Sequence, residues 1–171
     1  TSLYGFLVGF DMLKINSYTI GILTGYGTGT LKQNNDSNNM TEIDLGLYAG
    51  YEDFKWQFKG LLSAGTETYD TTRLGAKAGS YSGLNTTLDF EADYKVDLIS
   101  NLNNQITFKP FGGLLYSYIT QSSFEEKDLD IWSLKVNSMS NSIIQMRIGA
   151  GIEGKTQNFS WYGRLGLKQF I

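Results

Sequence analysis

Apolar and polar residues alternate along most of the chain. About eight segments follow this period of two. They lie at residues 4–13, 18–30, 40–51, 54–68, 85–96, 105–119, 142–154 and 158–170. Successive side chains of a β-strand point to opposite faces, so the alternation predicts strands with one apolar face. Helical spacing fits poorly because glycine and β-forming residues fill every segment, so we expect an all-β chain.

Charged residues keep to one face of the predicted strands. In segment 40–51, Leu45 and Leu47 share one face, while Glu42 and Asp44 share the other. A charge that faces lipid costs about 2–4 kcal/mol at the bilayer midplane. We therefore expect the apolar faces to meet lipid and the polar faces to meet a hydrated lumen. The expected lumen-lining residues are Asp44, Lys59, Glu67, Asp89, Glu91, Asp93, Arg147 and Arg164.

The lengths of the segments and of their links are typical of a membrane barrel. A membrane-spanning strand needs about 9–11 residues, whereas an ordinary strand averages about 5–6. Outer-membrane barrels join their strands by short periplasmic turns and longer extracellular loops, in alternation. The short links here are 14–17, 52–53 and 155–157, the link 97–104 is intermediate, and the long polar links are 31–39, 69–84 and 120–141. We expect residues 1–171 to form a single antiparallel meander, a barrel segment truncated at both ends.

Several aromatic residues lie near the predicted short turns, on the apolar face. They are Tyr18, Tyr51, Trp56, Tyr94 and Trp161. Tyrosine and tryptophan are enriched where a membrane meets water, which predicts a girdle at this level. The alternative is that these rings serve only as cross-strand packing partners.

Alternation alone does not say which face meets water, because a soluble barrel or sandwich would turn the same apolar face inward. The polar face is rich in glycine as well as charge. Solvent-facing strand positions favour threonine, lysine or glutamate over glycine, which weighs against a soluble fold. A soluble all-β binding module remains the alternative at this point.

Composition argues against catalysis. The chain has neither cysteine nor histidine, which excludes thiolate and imidazole metal sites and a Ser-His-Asp triad. We therefore expect no enzyme and no cofactor or metal. The carboxylates Asp89, Glu91 and Asp93 share one strand face with Lys95 beside them, which favours a hydrated lumen over a cation site. A net charge of −3 gives no indication of nucleic-acid binding.

One motif resembles a phosphate-binding loop. Residues 149–156 (GAGIEGKT) satisfy the pattern G-x-x-x-x-G-K-[ST]. That loop needs a following helix, whereas Gly149 and Gly151 lie in an alternating segment and a second alternating segment follows. We expect strand up to this point and a tight turn at Gly154-Lys155-Thr156.

An ordered series of motifs resembles the autotransporter β-domain, the translocator of type V secretion. Residues 5–11 (GFLVGFD) resemble an early strand of that family, and 69–73 (YDTTR) resemble a segment that leaves a later one. Residues 18–26 (YTIGILTGY) resemble W-T-L-G-V-x-x-G-Y, and 45–51 (LGLYAGY) resemble G-L-Y-G-G-Y. Residues 108–117 (FKPFGGLLYS) resemble L-T-P-Y-A-G-L-A-Y-S.

The resemblance implies an antiparallel transmembrane β-barrel of roughly twelve strands in the bacterial outer membrane, of which this chain holds about eight. It further implies that the barrel anchors and assists export of an N-terminal passenger. The implied partners are the lipid bilayer, the protein's own passenger and pore helix, and the outer-membrane barrel-assembly machinery. Residues implied to contact the helix or passenger are Asp44, Glu67, Asp89, Glu91, Arg147 and Arg164.

The resemblance is partial, because the family's pore helix, first strand and last strands have no counterpart in these residues. The alternative function is that of an outer-membrane porin or adhesin barrel whose long extracellular loops bind ligands.

Overall fold

The described elements of the protein are all β-strands. The computed structural model describes residues 2–33, 36–73, 76–101, 104–126 and 134–171. The strands are β1 (Ser2–Ile15), β2 (Tyr18–Gln33), β3 (Asp36–Glu52), β4 (Trp56–Arg73), β5 (Ala76–Tyr94), β6 (Val96–Ser100), β7 (Asn104–Gln121), β8 (Phe124–Glu125), β9 (Lys135–Val136), β10 (Met139–Thr156) and β11 (Ser160–Phe170). Among these residues, no helix is long and apolar enough to cross a membrane. The predicted all-β class is confirmed.

One antiparallel sheet contains nearly all of the strands. Its order is β1-β2-β3-β4-β5-β7-β10-β11, and β6 pairs with β7 beyond the end of β5. Each long strand therefore pairs with the next long strand along the chain, which confirms the predicted meander. The short strands β8 and β9 pair with each other and lie between β7 and β10 in the sequence. Within the described residues, β1 and β11 form the two borders of the sheet.

The strands extend beyond the predicted segments, so the prediction of long loops at 31–39 and 69–84 was wrong. β2 and β3 stay paired up to Gln33 and Asp36, and β4 and β5 up to Arg73 and Ala76. Residues there are polar on both faces, so the apolar alternation ends although the backbone ladder continues. Residues 34–35 and 74–75 lie outside the described part.

The two remaining links also contain strand. The predicted link 97–104 holds most of β6, and the predicted link 120–141 holds β8 and β9. Residues 102–103 and 127–133 lie outside the described part, so the centre of each link stays a prediction.

Three tight turns lie at one end of the sheet. Asn16 joins β1 to β2 with a φ of 51°, a left-handed conformation in which asparagine is enriched. After β3, the Asp53 side chain accepts hydrogen bonds from the backbone N–H groups of Lys55 at 2.7 Å and Trp56 at 2.6 Å. An aspartate that bonds its own backbone in this way fixes a turn.

The third turn, between β10 and β11, follows the motif at residues 149–156 that resembles a phosphate-binding loop. Gly149 and Gly151 lie inside β10 and pair with both β7 and β11, as the sequence predicted. The turn itself spans residues 157–159, three residues later than predicted, because β10 continues to Thr156 and β11 begins at Ser160. The Thr156 N–H donates to the Phe159 carbonyl at 2.7 Å and closes it.

Removal of the Asp53 carboxylate should weaken the fold in a pH-dependent way. Hydrogen bonds from the N–H groups of Trp56 and Lys55 lower the pKa of Asp53. A carboxylate with a lowered pKa stabilises the folded state above its unfolded-state pKa and loses that contribution as pH falls through the folded-state pKa. The Asp53→Ala variant should therefore unfold at lower urea than the parent at neutral pH, and the difference should disappear in strong acid. A difference that stays constant across a series of urea titrations from neutral to acid pH would contradict this role.

The apolar face of the sheet is exposed. Leu45, Leu47, Ile144 and Ile148 are 66%, 56%, 37% and 68% exposed. Among the described residues, Phe111 is the one buried apolar side chain. A soluble sandwich would bury these aliphatic residues between two sheets about 10 Å apart. The soluble alternative therefore does not fit this fold, whereas an apolar face directed to lipid does.

Aromatic rings form a row across the apolar face near the tight turns. Tyr18 and Tyr51 have ring centroids 4.9 Å apart, and Trp56 and Tyr94 have theirs 4.7 Å apart. Phe58 stacks on Trp56 of the same strand at 5.6 Å, and it stacks on Tyr51 of β3 at 6.1 Å. The row packs across neighbouring strands, as the packing alternative expects. It also lies near the tight turns on the apolar face, where an interfacial girdle is expected. The row is therefore compatible with both interpretations.

The ladder between β5 and β7 has a gap at Pro110. Pairing stops at Asp93 with Phe111 and resumes at Val96 with Phe108 in the same register. Proline has no N–H to donate, which removes a ladder bond. The Lys95 N–H donates instead to the Lys55 carbonyl at 2.7 Å, in the turn before β4.

Candidate functional site

All eight residues predicted to line a lumen lie on one face of the sheet. We call it the inner face. Cross-strand partners share a face, and the registers connect the eight residues from β3 to β11. Asp89 and Asp93 share the face of Glu91, because the three residues are two apart along β5. The connecting pairs are Asp44 with Gly65, Glu42 with Glu67, Lys59 with Glu91, Glu91 with Gly113, Gly113 with Arg147 and Gly151 with Arg164. The face is established; that it borders a lumen stays a prediction.

Side chains on the inner face reach strands that are not neighbours. Arg164 on β11 forms an ion pair with Glu91 on β5 at 2.7 Å, across β7 and β10. On a flat sheet with strands about 4.8 Å apart, β5 and β11 would lie roughly 14 Å from each other. Asn85 on β5 similarly donates to Glu42 on β3 at 2.7 Å, across β4. The ring contacts of the aromatic row join only neighbouring strands, so the sheet curves towards its polar face.

A charged cluster on the inner face contains two buried carboxylates. It consists of Lys59, Glu91, Asp93 and Arg164. Lys59 lies 3.2 Å from Glu91 and 3.1 Å from Asp93, and Arg164 contacts the same two carboxylates from the other side. Glu91 and Asp93 are only 9% and 3% exposed. Two carboxylates face two cations, so the cluster satisfies its own charges, as buried ions must.

Phe111 forms the floor of the charged cluster. The Arg164 guanidinium lies over its ring at 3.4 Å from the centroid, a cation–π contact. Glycine makes room for this ring, because a Cβ at Gly149 or Gly166 would come within 2.6 or 2.8 Å of its Cζ atom.

Glycine serves the same purpose elsewhere on the inner face. The Tyr48 side chain crosses Gly21 and donates its hydroxyl hydrogen to Asp11 on β1. Arg147 crosses Gly113 to pair with Asp89. The glycine on the polar face therefore has a packing role: it lets a long side chain lie along the sheet and bond one strand further on.

Asp44 and Glu67 lie further from the tight turns than the charged cluster. The register sets Glu67 opposite Glu42, and Asp44 lies against Gly65. Glu67 is 7% exposed and accepts a hydrogen bond from the Tyr69 hydroxyl. The structure therefore separates these two acids from the cluster that unites Lys59, Glu91, Asp93 and Arg164.

Several inner-face residues outside the predicted lumen-lining set also form ion pairs. Lys109 pairs with Glu153, and Lys95 pairs with Glu52 at 2.6 Å. Their alternation with apolar neighbours was the available signal. Phe111 was missed because no pattern in the sequence marks an aromatic residue on a polar face. Its position is explained by the Arg164 side chain, which lies over its ring.

The inner face presents paired charges and hydrogen-bonding groups that are compatible with water. A depression of about 500 Å³ is bounded by Leu23, Tyr48, Lys59, Leu61, Asp89 and Arg147. In the described part of the chain, no group of three or more acidic residues has the arrangement of a metal site. The depression is both aliphatic and charged, which suits an amphipathic polypeptide.

Comparison with known proteins agrees with this architecture. A family model described as the autotransporter β-domain matches residues 1–170. The chain is similar to a solved structure, the translocator domain of autotransporter NalP from Neisseria meningitidis, with a TM-score of 0.81 and 20% sequence identity. The match covers 99% of this chain and 60% of that structure, so this chain spans about three-fifths of the solved domain. No curated protein matches the chain.

Proposed function

This chain belongs to the autotransporter β-domain family, and from that membership we propose that it forms most of the wall of a barrel that exports an N-terminal passenger. Members of this family reside in the bacterial outer membrane. The observation that carries the proposal is the opposed pair of faces, one exposed and apolar, the other concave and charged. A wall of this kind satisfies its backbone groups internally in lipid and presents water-compatible groups to a passing chain.

The proposed role of the wall is passive transport rather than catalysis. The ion pairs of the charged cluster are mutually satisfied, so a passing chain would meet few unpaired charges that could hold it. We propose that eight inner-face residues line the lumen: Asp44, Lys59, Glu67, Asp89, Glu91, Asp93, Arg147 and Arg164. Their partners in the resting protein would be the pore helix and the passenger.

The described sheet has two borders that a closed barrel would have to join. β1 and β11 form the borders of the described sheet. An open border in lipid would leave backbone groups unsatisfied at several kcal/mol each. We propose that residues 1–171 are one segment of the domain, that further strands join β1 to β11, and that the outer-membrane barrel-assembly machinery inserts the complete barrel.

Surface exposure of the passenger tests the proposal. The full-length protein, with an epitope in its N-terminal part, is produced in Gram-negative cells and protease is added to intact cells. We expect the epitope to be cleaved from outside in the parent. Deletion of residues 139–171, which hold β10 and β11, should leave it protected in the periplasm. Equal cleavage in both proteins, or a barrel that folds in the membrane while its epitope never becomes accessible, would refute the export role.

A further inference from the structure

An apolar depression lies on the face of the sheet opposite the inner face, which we call the outward face. It measures about 770 Å³ and extends from β1 to β5. Its lining includes the small residues Ala64, Thr24 and Thr86. Larger apolar side chains surround them, namely Val8, Phe10, Ile22, Leu45, Leu47 and Leu62. A hollow of this size and lining, on a face that meets lipid, can hold a hydrocarbon chain.

Two polar rows lie on the same outward face, further from the tight turns. Thr41 is four positions from Leu45 along β3, so both side chains point outward. Its cross-strand partners extend the row over β2, β4 and β5, and the next outward positions form a second row. The first row is Thr28, Thr41, Thr68 and Ser82, and the second is Thr30, Asn39, Asp70 and Ser80. We call these eight residues the hydroxyl rows.

The hydroxyl rows lie at the level of the lipid head groups. Tyr51 in the aromatic row and Thr41 are ten positions apart on β3, which is about 33 Å along a strand. At a tilt of about 35–45° this distance spans about 25 Å across the bilayer, which is the height of the apolar band of an outer-membrane barrel. The tight turns of such barrels are periplasmic, so the rows meet the outer leaflet. Lipids with saccharide head groups occupy that leaflet of the bacterial outer membrane.

The chemistry of the hydroxyl rows fits a saccharide better than a phosphate. Asp70 is the one charged residue among the eight, and none of them is basic. Phosphate oxygens are bound mainly by arginine and lysine, whereas hydroxyl and amide side chains both donate and accept, as sugar hydroxyls do. Within the described part of the chain, the hydroxyls of Thr28, Thr41 and Thr68 form no hydrogen bond. They are therefore available to a ligand.

We infer that the outward face of β2 to β5 binds a glycolipid of the outer leaflet, with an acyl chain in the depression and sugars on the hydroxyl rows. Thr41 lies about 13 Å along the strand from Leu45, so a single lipid can reach both parts. A lipid held in this way contacts four neighbouring strands. The inference rests on the position of the sheet in the outer membrane and not on the export of a passenger.

Binding of lipids to the full-length protein tests the site. The protein is purified in a detergent without a sugar head group and titrated with two fluorescently labelled lipids. One is rough-type lipopolysaccharide from which the phosphates have been removed, and the other is phosphatidylglycerol. We expect the saccharide probe to bind about five-fold more tightly or better, because hydrogen bonds to its sugars add to the burial of its acyl chains.

Two variants separate the two parts of the site. The triple substitution Thr28→Val, Thr41→Val and Thr68→Val removes three hydroxyls and adds no charge. It should weaken binding of the saccharide probe about ten-fold and leave binding of phosphatidylglycerol unchanged. Ala64→Phe fills the depression and should weaken binding of both lipids.

The matched control is the double substitution Thr19→Val and Thr87→Val on the inner face, which should change the affinity for neither lipid. Folding of every variant is checked by its heat-dependent mobility on gels. Equal affinity of the parent for the two probes, an unchanged affinity for the saccharide probe in the triple variant, or an equal loss in the inner-face control would overturn the site. Unchanged binding in Ala64→Phe would overturn it as well. The readout needs no exported passenger, so a failure of surface exposure in cells would count against the proposed function alone.

Discussion

Leu45→Arg is expected to lower the free energy of unfolding by about 2–4 kcal/mol, because it sets a charge on the apolar face in the middle of β3. Leu45 is 66% exposed, and its cross-strand partners Thr24 and Ala64 carry no charge that could pair with a guanidinium. In water this substitution would be nearly neutral at such an exposed position. Urea unfolding in lipid vesicles measures the effect, and reduced insertion into the outer membrane should accompany it.

The matched control is Ser63→Arg, one level away on β4 but on the inner face. Ser63 pairs with Gly46 and Thr87, so a long side chain there extends over small neighbours. We expect this variant to lose about 1 kcal/mol or less. If Ser63→Arg proves the more damaging of the two, the two faces have been assigned the wrong way round and the export role loses its basis.

Arg164→Gln is expected to cost about 2–3 kcal/mol, because it leaves Glu91 and Asp93 with Lys59 as their remaining cation in the charged cluster. The value lies below the roughly 3–5 kcal/mol of a fully buried pair, since the Arg164 side chain is 26% exposed. The loss of the cation–π contact with Phe111 adds to the effect. The measurement is again urea unfolding in vesicles.

Lys168→Gln provides the control for this loss of charge. Lys168 lies on the same strand and the same face, and the described part of the structure shows no ion pair for it. It should change stability by about 0.5 kcal/mol or less. A similar loss in both variants would mean that total charge on the inner face, and not the charged cluster, supports the fold.

Much of the fold could be predicted from the sequence, because one physical rule governs the membrane-facing region. The alternation of Leu45 and Leu47 with Glu42 and Asp44 sets strand, face and register together, since a slip by one residue would turn charges to lipid. The rule does not apply where both faces of the sheet meet water, because a charge there has no cost on either face. There the strands continue through Thr72 without any apolar signal, and the predicted loops were wrong for that reason.

The contacts of the site could be predicted less well than its face. Parity assigns Arg164 and Glu91 to the same side, but β7 and β10 lie between them in the sheet. Their contact depends on how far the sheet curves and on the small size of the residues in between, which is a property of all the strands together. The same holds for Phe111, whose burial follows from Gly149, Gly166 and Arg164.

The gap in the ladder at Pro110 has a mechanical consequence. On the side away from the tight turns, continuous cross-strand bonds join β5 to β7. On the side of the tight turns, a short separate ladder joins β6 to β7 and has its own irregularity between Asp97 and Ile99. The ladder between β7 and β10 runs unbroken past this level, with Ala150 opposite Pro110. Local opening of the β6 ladder therefore need not spread to the β5 ladder, while β10 keeps β7 in place.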